Sequence, residues 1–237
     1  MYMLMPLHTH IDFGFGATGE AFKDAADQLE ESLKGEGVGI FNEYLPINYL
    51  RRHAIELFLK SGIVIIHRRF SIPYGSDPTE QEPGAFVNGK WQPFIRLHSV
   101  SSLWSYLKTL FVDQKAALDA IEHIEWLVPA EVDSWIDTIE RLDPRSTFFR
   151  YPNPEKAKDE LKSAMARTSA EELLKKHKEN PEKKQRIVVL EDMDRQVTDI
   201  YYYDGRSLDE LTKVLKECSQ HFFSMHAALR MGICKGA

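Results

Sequence analysis

Residues 49–60, YLRRHAIELFLK, form the stretch of this sequence that decides the fold. At about 100° per residue, the apolar residues from Ile47 to Ile65 fall on one broad arc of a helix. Only a narrow lane remains for polar side chains, and it holds Arg52, His53, Glu56, Lys60 and His67. A helix that is apolar around most of its circumference is typical of the centre of a helical protein. The pattern predicts a long helix from Pro46 to about Arg69.

The charged residues of this helix suggest two interpretations. Glu56 precedes Lys60 by four residues, the favourable order for an exposed ion pair, which contributes about a few tenths of a kcal/mol. Arg51 instead points into the apolar arc, where an unpaired guanidinium would be very costly. We therefore expect Arg51 or Arg150 to join two helices through a buried polar contact. The candidate partners are Asp143 and a backbone carbonyl near Phe149.

The composition narrows the class of protein. The chain has 237 residues, a net charge of −6 and two cysteines, Cys218 and Cys234. The length suits one domain, 1–237, with a full hydrophobic core. The acidic balance argues against a generally basic nucleic-acid binder, and two cysteines form neither a disulfide framework nor a four-cysteine zinc site. The longest apolar stretch, 54–66, is interrupted by polar residues, so we expect a cytoplasmic protein with no membrane span.

The wider pattern predicts a mainly α protein, an antiparallel helical bundle. Ser99 is a suitable N-cap for a helix that follows it, and Ser207 with Glu210 forms a capping box that opens the final helix. Helical periodicity is expected over residues 21–33, 100–111, 114–126, 129–142 and 207–231.

Two additions to the bundle are expected. Residues 70–97 contain proline and glycine breakers, and an Asn88-Gly89 pair lies between two short strand-like runs, which predicts a β-hairpin insertion. Residues 154–186 mix both signs of charge around a thin apolar stripe, which predicts a charged helical arm with a capping box at Thr168 and Glu171. Strand composition follows at residues 187–190 and 200–203.

Three segments together resemble the HEPN superfamily, the helical-bundle domains common in prokaryotic toxin–antitoxin and phage-defence loci. These segments are Arg51–Lys60, Leu97-His98 before Leu103-Trp104, and Asp143-Pro144 with Phe149-Arg150-Tyr151-Pro152. The resemblance covers about two-thirds of the chain, as a combination of individually short motifs. The residues that we take as polar-core or binding candidates are Arg51, Arg52, Glu56, Lys60, Asp143 and Arg150.

The chain departs from the ribonuclease members of that superfamily at the motif that carries their chemistry. Those members have an arginine, a polar residue and, after a short spacer, a histidine on a late helix. Gln220 and His221 stand where the arginine would be needed before His226, which we interpret as a core histidine. The resemblance therefore implies a non-catalytic component of a prokaryotic anti-phage defence or toxin–antitoxin system. Its expected partner is a protein of the same locus, with RNA or a second copy as further candidates, and no cofactor is expected.

Two enzymatic alternatives stay open. An endoribonuclease could use a rearranged pair, Arg150 with His98 or His53, in which arginine stabilises phosphate charge and histidine moves a proton. A metal-dependent hydrolase could use the opening segment, because alternate residues of a strand face one side and could bind one ion. The metal candidates in that segment are His8, His10 and Asp12. The helices expected after residue 18 do not fit the strand–helix alternation of such hydrolases.

Overall fold

A computed structural model of the protein describes residues 5–33, 44–75, 82–121, 124, 126, 128–151, 165–181, 186–203 and 208–234. This part of the chain is mostly helical and also contains two small antiparallel sheets. The helices are α1 (Phe15–Ser32), α2 (Tyr44–Arg69), α3 (Val100–Asp113), α4 (Lys115–Asp119), α5 (Glu131–Leu142), α6 (Ala170–Glu179) and α7 (Asp209–Ala228). The strands are β1 (Gly84–Val87), β2 (Lys90–Pro93), β3 (Met165–Thr168), β4 (Ile187–Glu191) and β5 (Val197–Tyr203).

The helix α2 lies at the centre of the hydrophobic core, as its sequence predicts. Every residue from Ala54 to His67 is buried, because α1, α3 and α7 pack around it. Helix α5 packs in turn against α3 and α7, and a π-helical turn, Leu229–Ile233, continues α7 onto the same core. Complete burial explains why charged residues of α2 require partners inside the protein.

The predicted hairpin insertion is confirmed between residues 84 and 93. Strands β1 and β2 pair antiparallel, and Asn88 and Gly89 both adopt positive φ, 51° and 79°, as a tight two-residue turn requires. His67 anchors the chain before the hairpin, since its Nδ1 donates to the Ile72 carbonyl and its Nε2 accepts from the Tyr106 hydroxyl at 2.9 Å. Residues 76–81 of the predicted insertion lie outside the described part of the chain.

The helix predictions are confirmed for α3 and α5 and wrong for residues 114–126. Ser99 caps α3 by accepting from the Ser102 amide at 3.1 Å. Among the described residues between 114 and 126, the helical segment is Lys115–Asp119. The Leu118 carbonyl accepts from the Ile121 amide at 3.0 Å, three residues later as in a tight turn, and from the Trp126 indole at 2.9 Å.

The predicted charged helical arm, 154–186, is helical only in part. Helix α6 is present, but its cap is Ser169, which accepts from the Glu172 amide, rather than Thr168. Residues 165–168 form strand β3 because they pair with β5, from Met165 opposite Tyr203 to Thr168 opposite Ile200. The sheet order is β3-β5-β4. Residues 152–164 and 182–185, together with the predicted Ser207 cap, lie outside the described residues.

No helix in the described ranges is both long and apolar enough to cross a membrane. The final helix is present from Asp209, and its apolar side, which includes Leu215, Cys218 and Phe222, is buried against the core.

Candidate functional site

The charged side chains of α2 lie inside the protein. Arg51, Arg52, Glu56 and Lys60 are at most 4% exposed. Helix α1 supplies the partners of Arg51, and the chain that follows the hairpin, from Phe94 to His98, covers the other three. The exposed ladder predicted for Glu56 and Lys60 is therefore wrong: the ion pair forms, but the insertion removes it from solvent.

One carboxylate organises the covered residues, which we call the Glu56 cluster: Arg52, Glu56, Lys60 and His98. The Glu56 carboxylate accepts from Lys60 Nζ at 2.7 Å, His98 Nδ1 at 3.0 Å and Arg52 Nη1 at 3.3 Å. Each of the two cations also donates to one backbone carbonyl. Lys60 donates to Phe94 O at 2.9 Å, and Arg52 donates to His98 O at 2.7 Å.

The cluster keeps Glu56 ionised in an apolar setting. Burial by itself would raise the pKa of Glu56, but the nearby Lys60 and Arg52 charges and the hydrogen bonds from Lys60 and His98 outweigh it. The net effect lowers the pKa of Glu56 below its ordinary value. Two cations and one carboxylate leave an excess positive charge, which the Phe94 and His98 carbonyl dipoles offset. The arrangement ties α2 to the chain that follows the hairpin.

Arg51 forms the predicted cross-link between two helices, with different partners from those expected. Its Nη2 lies 2.9 Å from both Asp27 and Glu30 on α1. The proposed partner Asp143 instead accepts from the amides of Thr147 and Phe148, at 2.7 and 2.9 Å, and so fixes the turn after α5. The expectation that Asp143 or a carbonyl near residue 149 pairs with Arg51 is therefore wrong.

Arg150 and His53 meet at one aromatic side chain, Tyr49. The Arg150 guanidinium lies 5.2 Å from the centre of the Tyr49 ring, and the His53 ring is nearly parallel to that ring at 6.0 Å. Burial is the largest cause of the lowered pKa of His53, and the Arg150 charge acts in the same direction. Arg150 is exposed, so of the two candidates for a buried polar contact between helices, Arg51 and Arg150, it is not the one that forms it. We call Tyr49, His53 and Arg150 the Tyr49 face.

The three catalytic candidates therefore divide between two places. His98 belongs to the Glu56 cluster, where its side chain is 42% exposed and its Nδ1 is bound to Glu56. His53 and Arg150 belong to the Tyr49 face. The Glu56 charge opposes the lowering of the pKa of His53 that burial causes, because His53 and Glu56 lie on adjacent turns of α2.

A third polar group, which the sequence did not indicate, joins Asp12, Ser61 and His226. The Ser61 hydroxyl donates to Asp12 Oδ2 at 2.6 Å and lies 2.9 Å from His226 Nδ1, which must then be the donor. The serine lies between the acid and the histidine, so this is not a relay in which histidine activates serine. Asp12 also accepts from the Gly14 and Gly16 amides at the start of α1.

This group is a structural junction between α1, α2 and α7. All three side chains are buried, and burial is the largest cause of the lowered pKa of His226, about 4. The interpretation of His226 as a core histidine is confirmed. A Cβ atom at Gly16 would lie 2.1 Å from His226 Cε1, so glycine is needed there for close packing. The Gly14-Phe15-Gly16 sequence after Asp12 was the signal that could have indicated this contact.

The opening segment does not form the strand on which a metal site would depend. Leu7–Thr9 is a short 3-10 helix, His8 is exposed, and the His10 ring lies 3.2 Å from the Met5 carbonyl. Asp12 accepts hydrogen bonds from the Gly14 and Gly16 amides and from the Ser61 hydroxyl. Among the described residues, no group of three or more His, Cys, Asp or Glu side chains is arranged to hold a metal ion.

Comparison with known proteins gives no relative for this chain. No family model, curated protein or solved structure matches it.

Proposed function

We propose that the protein is a HEPN-like antiparallel helical bundle that acts as a non-catalytic binding component. In this proposal it works in the cytoplasm, in a prokaryotic anti-phage defence or toxin–antitoxin system, and binds a partner protein of the same locus. The observation that carries the proposal is the Glu56 cluster, in which three buried charged groups of α2 bind one another and the backbone carbonyls of Phe94 and His98.

The burial of these groups argues for a scaffold. A catalytic group must come within hydrogen-bond distance of its substrate. Arg52, Glu56 and Lys60 are at most 4% exposed and already bind one another or backbone carbonyls. His226 is neutral near pH 7 because burial lowers its pKa to about 4, and it lies in the core rather than at a cleft.

The Tyr49 face is the surface on which we place partner binding. Arg150 is exposed beside the half-buried Tyr49 ring, and the adjacent Tyr151 is 61% exposed. Arginine and tyrosine are the residue types that contribute most to protein interfaces, because they combine apolar area with directed donors. The same pairing also suits stacking on RNA bases, so RNA is the alternative ligand.

The test compares two arginines of the same loop. The protein is co-expressed with the products of the flanking genes, and the dissociation constant of each complex is measured. Arg150→Ala should weaken the complex about tenfold or more, whereas the exposed Arg145→Ala should change it less than about twofold. Equal effects of the two variants, or binding to none of these products, would contradict the proposed surface and role.

A ribonuclease with a rearranged site is the second candidate, because Arg150 and His53 contact the same Tyr49 ring. Arg150 would stabilise the phosphate charge, and His53 would be neutral at pH 7 and able to accept a proton, since burial lowers its pKa. This candidate requires RNA cleavage that disappears in both Arg150→Ala and His53→Ala while the variants remain folded.

A further inference from the structure

Strand β4 has apolar side chains on both of its faces, and no strand among the described residues pairs with its outer edge. It stands at the outside of the order β3-β5-β4. Its four aliphatic residues, Ile187 to Leu190, are each 42–46% exposed. Natural proteins normally protect an edge strand of this kind with charges, bulges or a covering element, because its unpaired backbone groups are a template for another strand.

We propose that β4 pairs antiparallel with β4 of a second copy of this chain, so that the two β3-β5-β4 sheets become one continuous sheet centred on Val189. The proposal goes beyond the partner-binding role and does not depend on it. It names the surface of a homodimer and the residues that set its register.

The backbone N–H and C=O groups of alternate residues of β4 face away from β5, as this pairing requires. The Tyr203 amide donates to the Arg186 carbonyl at 2.9 Å, so the even-numbered residues of β4 direct their backbone groups toward β5. Ile187, Val189 and Glu191 therefore present their N–H and C=O groups to the open edge. The register shift in the sheet comes from an extra residue in β5, since Leu190 pairs with Asp199 and Glu191 pairs with Val197. Strand β4 itself stays regular.

Two-fold symmetry restricts the register. A two-fold axis perpendicular to the sheet leaves each side chain on the same face of the combined sheet. Because even-numbered and odd-numbered residues point to different faces, residues opposite each other must both be even-numbered or both be odd-numbered. Centring on Val189 places Val189 opposite its own copy and Val188 opposite Leu190. The same register places the exposed Arg186 opposite the exposed Asp192 of the second copy, twice by symmetry, and the Oδ1 atom of Asp192 also accepts from the Asp194 and Gln196 amides of its own turn.

Charge complementarity selects both the occupant and the register. Arg186 precedes the strand and Asp192 follows it, and both are even-numbered and so share one face. An antiparallel copy therefore brings these opposite charges together, which stabilises cross-strand pairs, whereas Glu191 lies opposite Ile187. Centring on Val188 would instead place Arg186 opposite Leu190 and lose the pairing with Asp192. A strand from an unrelated protein would not in general carry an acidic residue opposite Arg186 and a basic residue opposite Asp192.

The first test measures the oligomeric state of the full chain by sedimentation velocity over a range of concentrations. Wild type should show a reversible dimer, and Val189→Lys should raise the dimer dissociation constant more than about tenfold, because it places two ammonium groups opposite each other. Leu174→Lys, a substitution at a residue of α6 that is 61% exposed, is the matched control and should leave the dimer unchanged. A wild-type monomer at every concentration, or a dimer insensitive to Val189→Lys, would overturn the proposal.

The second test reads the register directly. Val189→Cys should form an intermolecular disulfide under mild oxidation, whereas Val188→Cys should not, because residues 188 of the two copies are offset along the strands. The native Cys218 and Cys234 are buried, and wild type reports any disulfide that they contribute. Preferential cross-linking at residue 188, or at neither position in a confirmed dimer, would exclude the pairing centred on Val189.

Discussion

The Glu56 carboxylate and the Lys60 ammonium lie 2.7 Å apart, four residues apart on α2, with side chains 1% and 5% exposed. A second pair at the same spacing, Lys115 and Asp119, lies 2.6 Å apart with side chains 70% and 52% exposed. These two ion pairs between a lysine and a carboxylate have the same spacing, but one is buried and the other is exposed to solvent. The difference in environment decides what each contact contributes, because an unpaired charge can be hydrated only at the surface.

Replacing Glu56 should therefore be far more damaging than replacing Asp119. Glu56→Gln leaves Arg52 and Lys60 buried without their counter-charge, and we expect a loss of about 3–5 kcal/mol in the free energy of unfolding. Asp119→Asn should cost less than about 0.5 kcal/mol. Urea denaturation of the two variants checks this. Similar small losses for both would show that the Glu56 cluster is open to water.

The contact between α1 and α2 predicts an asymmetry. Arg51 is fully buried, whereas the side chains of Asp27 and Glu30 are 41% and 22% exposed. Arg51→Met removes the buried charge and leaves carboxylates that water can reach, so we expect a loss of only about 1–2 kcal/mol.

The converse double variant, Asp27→Asn with Glu30→Gln, leaves the buried Arg51 guanidinium without a carboxylate. It should cost about 3–5 kcal/mol, more than Arg51→Met. Denaturant unfolding of both proteins provides the comparison. The reverse order of stability would mean that Arg51 reaches solvent or has another anionic partner.

The fold was predictable where local pattern determines it, and this covers α2, α3, α5 and the hairpin. Strand β3 was missed because its conformation depends on pairing with β5, more than thirty residues later in the chain. The helix predicted over 114–126 ends at Asp119, and the Leu118 carbonyl then accepts from the Ile121 amide and from the Trp126 indole. Periodicity contains no information about either long-range partner.

The candidate site was predictable as a set of residues but not as an arrangement. The sequence indicated that Arg51 needs a buried partner, yet helical spacing alone could not choose between α1 and the segment near Asp143. It placed Glu56 and Lys60 in solvent because nothing local shows that the chain from Phe94 to His98 folds over them. Ser61 gave no signal, since a serine within an apolar arc is commonly a small core residue.

Among the histidines, we expect His226 to contribute most to the pH dependence of the free energy of unfolding. Burial lowers its pKa from 6.5 to about 4, so the unfolded chain takes up a proton in this range before the folded protein does. The stabilising contribution is complete above pH 6.5 and is lost as the pH falls toward 4. The pKa of Glu56 is lowered as well, so its contribution is complete above its ordinary value of 4.5 and is lost only in stronger acid.

His226→Asn tests this assignment because an amide nitrogen can still donate to Ser61. The variant should show a smaller fall in melting temperature between pH 6.5 and 4 than wild type. A residual slope is expected from the other histidines whose pKa burial lowers, which are His53, His67 and His221. Parallel profiles for variant and wild type would show that His226 is protonated freely in the folded protein.

The measurement that tests the central claim most directly is RNA cleavage by the purified full chain, with and without magnesium or manganese. A single-stranded RNA labelled at one end is incubated with wild type and with the Arg150→Ala, His98→Ala and His53→Ala variants. We predict no cleavage by any of them, because Arg52, Glu56 and Lys60 are at most 4% exposed and the role proposed for Arg150 is binding alone. Cleavage by wild type that disappears in a folded Arg150→Ala, His98→Ala or His53→Ala variant would contradict this account.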